Sequence, residues 1–133
     1  MFESKPDLHP VPGQMAHRDG VEAAGVHVIV DVIDGDRLDD LPYLEKVMRE
    51  CVRECRATLL HMHMHKFSPE GVSGVAVLAE SHISVHTWPE KRYAAFDIFM
   101  CGHAEPEKAA DILAKSFNAK ETRVNVILRG ENI

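Results

Sequence analysis

Apolar residues follow two rhythms along this chain, and the switches between them mark its elements. Positions 26–33, VHVIVDVI, are rich in β-branched residues and bounded by Gly25 and Gly35, as a well-buried strand requires. After a turn at Asp34, Gly35 and Asp36 the spacing lengthens: Leu44, Val47, Met48, Cys51, Val52 and Cys55 recur at three and four residues. That stripe predicts one apolar helix face running to about Arg56, with Asp40 as its cap and Pro42 in its first turn. Positions 58–66, TLLHMHMHK, return to period two, with Leu60, Met62 and Met64 on one side and His61, His63 and His65 on the other.

Positions 74–80, GVAVLAE, predict a further strand, and positions 83–87 continue extended until Trp88 and Pro89 stop them. YAAFDIFM, 93–100, is a long strand ending at Cys101 and Gly102. Pro106 opens a second helix whose inward face is Ala109, Ile112, Leu113, Ser116 and Phe117, and a last strand lies near Val124. The order is β-α-β-β-α-β with one break in the middle. It predicts an α+β fold: a two-layer α/β sandwich with a largely antiparallel sheet. Two helices cover one sheet face only. The near-continuous apolar strands need cover on the other face as well, so we expect a homodimer whose protomers share it.

The chain has 133 residues, enough for a single core, which we expect over residues 21–133. Pro6, Pro10, Pro12, Gly13 and Gly20 without any period predict a mobile arm over residues 1–20. A net charge of -6 argues against nucleic acid as a partner and suits a cationic small molecule. No apolar run approaches the roughly 20 residues that cross a bilayer, and the start, MFESKPDLHPVPGQ, lacks the apolar core of a secretory signal. A cytoplasmic location follows as the expectation. Cys51, Cys55 and Cys101 form no CxxC pair, which fits a reducing compartment, and the helical spacing of the first two assigns them to the core.

Ser81 alone would be an ordinary strand-end serine. Around it, however, His82, Ser84, His86 and Thr87 crowd between an apolar strand and the Trp-Pro stop, where a plain core strand carries none of them. Such a cluster marks a site. The alternation of His61, His63 and His65 invites a metal, but alternate strand residues lie about 6.5 to 7 Å apart, so the outer pair spans about 13 Å, too far for bonds of about 2 Å to one ion. We expect no metal and a structural or solvent-facing role for all three.

The run GVSGVAVLAESHISVHTWPE, 71–90, with DIFMCG, 97–102, resembles the processing segment of prokaryotic S-adenosylmethionine decarboxylase proenzymes. The likeness extends from about Val26 to Gly130. It implies self-cleavage between Glu80 and Ser81 into chains 1–80 and 81–133, with Ser81 becoming a pyruvoyl cofactor that forms a Schiff base with the substrate amine. It assigns His86 as the processing base, expected within hydrogen-bond reach of its proton, and Ser73 as its partner. By the same resemblance Cys101 returns a proton to carbon after carbon dioxide leaves, Glu90 binds the ribose hydroxyls, and Phe67 offers a face to adenine. The implied reaction converts S-adenosylmethionine to its decarboxylated form for polyamine (spermidine) synthesis. His103 departs from the acidic residue usual after the Cys-Gly pair. Three alternatives stay open on the residues alone: a pyruvoyl decarboxylase of ornithine or arginine, a dimeric binding module that never cleaves, and a dimeric α+β scaffold whose histidines are incidental.

Overall fold

The computed structural model describes residues 15–133. They run β1 (Ala16–Arg18), β2 (Val21–Ile33), α1 (Leu41–Glu54), β3 (Leu59–Lys66), β4 (Val72–Leu78), β5 (Ser81–Trp88), β6 (Tyr93–Met100), α2 (Ala109–Ser116) and β7 (Glu121–Glu131), with short 3-10 turns at Pro89–Lys91 and Pro106–Lys108. Every strand pairing is antiparallel, in the order β2-β6-β5-β4-β3, with β7 on the far side of β2. Ala23 pairs with both Ala16 and Glu131, so β1 lies on the β6 side of β2. Two helices on one face of this open sheet make the expected two-layer α+β sandwich.

The covered face follows from the period-two pattern. Val26, Val28, Val30 and Val32 of β2 point the same way as Ala94, Phe96, Ile98 and Met100 of β6, and all eight are buried. Against them α1 lays Leu44, Val47, Met48 and Cys51, and the second helical segment adds Leu113 and Phe117. Asp40 caps α1 as its position predicts, its Oδ1 accepting from the Tyr43 N–H at 3.1 Å. Burial drives the thiols of both core cysteines upward, that of Cys55 to about 12, so neither is a nucleophile near neutral pH.

Three differences from the sequence expectations stand out physically. Most of the expected arm, residues 1–14, lies outside the described residues, but Ala16–Arg18 is not arm: it pairs with β2 and Ala16 is buried. The extended run through 74–87 is two strands, since the chain reverses at Ala79 and Glu80 and Leu78 pairs with Ser81. Leu60 leaves the side of Met62 and Met64 because the register of β3 shifts between Leu59 and His61, and it is exposed. Among the described residues no helix is long and apolar enough to cross a membrane.

Candidate active site

The β4-β5 hairpin sits between β3 and β6 in the sheet, so its tip is flanked by the residues that precede β3 and follow β6. Those residues are Thr58 and Cys101. The Glu80 carbonyl accepts the Cys101 backbone N–H at 3.1 Å. On the other side the Glu80 carboxylate accepts from Thr58, at 2.8 Å from the backbone N–H and 3.2 Å from the hydroxyl. Ala79 N–H closes the same contact on the Thr58 carbonyl at 3.0 Å. The next residue, Ser81, has a φ of 138°, a region that side chains with a Cβ rarely occupy. A bound N–H polarises a carbonyl and holds charge that develops on its oxygen, and the residue that follows it carries a hydroxyl.

The Cys101 thiol lies just past β6, half-buried. Desolvation, and then the negative charge of Glu80, push it above the ordinary thiol range, so it keeps its proton at neutral pH. A protonated thiol is a donor rather than a nucleophile.

A second cluster occupies the opposite end of the β4-β5 hairpin, on the uncovered face. Ser73 pairs directly with His86 in the β4-β5 ladder, and Ser73 Oγ lies 2.8 Å from His86 Nδ1. His65 pairs with Ser73 on the other side, and its ring meets Phe67 edge-on with centroids 4.5 Å apart. Phe67 is 46% exposed, so it is no core residue and presents an open aromatic face. Glu90 lies in the turn directly after β5, exposed, at this same end. His61, His63 and His65 share the uncovered face at successive rungs, and among the described residues no group of three or more His, Cys, Asp or Glu side chains could hold a metal ion.

The structure therefore gathers the predicted residues into two groups: Glu80, Ser81 and Cys101 at the hairpin tip, and Ser73, His86, Phe67 and Glu90 at the other end. Within one chain the expected reach of His86 to residue 81 is not met. Five strand residues at about 3.3 Å each place them roughly 16 Å apart. Thr58 was missed by sequence reasoning, because a threonine opening a strand carries no signal of what lies beside it in the sheet.

A serine at positive φ in a hairpin tip, following a carbonyl that a backbone amide holds, suits attack by a hydroxyl on the preceding peptide. Comparison with known proteins gives the chain a family. The family model described as S-adenosylmethionine decarboxylase matches residues 26–130. The S-adenosylmethionine decarboxylase proenzyme of Methanococcus maripaludis is 48% identical over 109 residues, covering 80% of this chain and 89% of that protein. The proenzyme of the same name from a Synechococcus species is 44% identical over 108 residues, covering 79% and 84%. The crystal structure of the adenosylmethionine decarboxylase from Aquifex aeolicus superimposes with a TM-score of 0.75 at 32% identity, covering 81% of this chain and 92% of that one. This chain belongs to the S-adenosylmethionine decarboxylase family.

Proposed function

We propose that the chain cuts itself between Glu80 and Ser81 and then decarboxylates S-adenosylmethionine. The observation that carries this is the Glu80 carbonyl held on the Cys101 N–H beside a serine of φ 138°. In the cut, Ser81 Oγ bonds to the Glu80 carbonyl carbon, the peptide C–N bond breaks, and the hydroxyl proton ends on the released nitrogen. Charge on the former carbonyl oxygen is met by the Cys101 N–H. A base then removes the Ser81 Cα proton, the Cβ–O bond breaks, and Glu80 leaves as a carboxylate. Water replaces the nitrogen of the dehydroalanine as ammonia departs, and a pyruvoyl group remains at position 81.

When formed, that group supplies the electron sink for loss of carbon dioxide. The chain's own side chains do the rest. Cys101 holds the proton that the substrate carbon takes up, Phe67 offers a face to the adenine and the sulfonium charge, and Glu90 supplies a carboxylate for the ribose hydroxyls. The acidic chain suits a cationic substrate, and unlinked core cysteines suit the cytoplasm.

The separation of the two groups supports a homodimer. A two-fold axis running across the strands between two uncovered faces carries the Ser73–His86 pair of one protomer toward the hairpin tip of its partner, and the reverse. Each site then draws its nucleophile from one chain and its base from the other. Val77, Trp88 and Ile127, each about two-fifths exposed on that face, are the apolar surface such contact would cover.

Intact mass after expression tests the cut: we expect two fragments from the wild type and one species of 133 residues from Ser81→Ala. An uncut wild type would sink the proposal. Release of labelled carbon dioxide from S-adenosylmethionine, with none from ornithine or arginine, fixes the substrate, and the opposite pattern replaces it.

A further inference from the structure

The Glu80 carboxylate has no part in the bond rearrangement, which uses only that residue's carbonyl. Yet both its oxygens are engaged, at 2.8 Å by the Thr58 N–H and at 3.2 Å by the Thr58 hydroxyl. Thr58 adds its carbonyl, which accepts the Ala79 N–H at 3.0 Å. Thus one residue outside the hairpin binds its tip through three groups. The pull is directional as well. Thr58 stands on the β3 side and Cys101 on the β6 side, so Glu80 is held by its side chain on one flank and by its carbonyl on the other. Rotating the peptide away from the Cys101 N–H would strain the carboxylate contacts, and releasing them lets Ser81 leave its unfavourable φ.

We propose that Thr58 is a positioning residue for self-cleavage, holding the Glu80 side chain so that the Glu80 carbonyl stays on the Cys101 N–H within reach of Ser81. This rests on the cut proposed above. Geometry fixed before reaction raises an intramolecular rate, and its loss is read in the rate of cutting.

The test is a time course of cutting in the full chain made by cell-free translation, followed by intact mass. Thr58→Val removes the hydroxyl and keeps the backbone contacts, and we expect cutting about tenfold slower. Thr58→Ser restores the hydroxyl and should return the rate to near wild type. Glu80→Ala leaves the reacting carbonyl in place and should also cut slowly. Added to Glu80→Ala, Thr58→Val should slow it no further, because the partner is already gone. Multiplicative slowing in the double variant, slow cutting by Thr58→Ser, or wild-type cutting by Thr58→Val overturns the assignment. Thermal unfolding of Thr58→Val in the uncuttable Ser81→Ala chain checks that the fold survives. If it does not, the Glu80→Ala rate decides, and a wild-type rate there also overturns it. A wild type that never cuts defeats the cleavage proposal instead, so the two failures are distinct.

Discussion

At Cys101 the backbone and the side chain meet different demands. Its N–H lies 3.1 Å from the Glu80 carbonyl, which the proposed cut attacks, while its thiol is raised above the ordinary range by desolvation and by the charge of Glu80. Removing the side chain leaves the N–H in place. Cys101→Ala should therefore cut at the wild-type rate yet turn over some 10²- to 10⁴-fold more slowly, as loss of a general acid does. The pH dependence has a definite sign. A thiol donates while protonated and fails as pH rises through its pKa, so a raised pKa moves the alkaline fall of kcat upward, beyond about 8.5 where a free thiol titrates. A fall at or below that pH, or slow cutting by Cys101→Ala, would reverse the assignment. The polar cluster around Ser81 stood out in the sequence, and Cys101, Ser73 and His86 were named by the family resemblance, which rests on side-chain identities. The Cys101 amide and the Thr58 clamp were not, since every residue has an N–H and Thr58 meets Glu80 across 22 positions.

The hairpin shows the same limit for an element. Nothing in Val77-Leu78-Ala79-Glu80-Ser81-His82 resembles a turn, for it lacks the Gly, Asn or Pro that tight reversals favour. The reversal is imposed from outside, by β3 and β6 pairing along both flanks, and Ser81 absorbs it at φ 138°. By contrast α1, with its stripe and Asp40 cap, and β2, with its β-branched run, lay open to inspection because local pattern and tertiary burial agree. The strain at Ser81 can be measured apart from the chemistry. Ser81→Gly and Ser81→Ala are both unable to cut, but glycine adopts a positive φ without steric cost and alanine does not. We expect Ser81→Gly to unfold a few degrees above Ser81→Ala despite glycine's greater chain entropy. Equal midpoints, or the reverse order, would show that the tip carries no strain.

For the whole molecule the decisive quantity is the roughly 16 Å that five strand residues put between position 81 and His86. No side chain spans it, and both residues lie on β5, within a sheet whose ladders fix their separation. The period-two pattern predicted strands apolar on both faces, but only the register revealed that Ser81 and His86 sit at opposite ends of β5. If the partner's His86 serves each Ser81, two defective chains can repair one another. Ser81→Ala retains the base and lacks the nucleophile, while His86→Ala retains the nucleophile and lacks the base. Expressed separately, both should stay uncut. Expressed together, the mixed dimer holds one tip with Ser81 facing an intact His86 and a second tip lacking both. Only the His86→Ala chain should then yield fragments, and at most one cut per mixed dimer. With random pairing about half the dimers are mixed, so about half of the His86→Ala chains should be cut. Intact mass separates the outcomes, because every fragment carries the mass change of its own parent. Absence of cutting in the mixture would place nucleophile and base within one chain and require the hairpin tip to move.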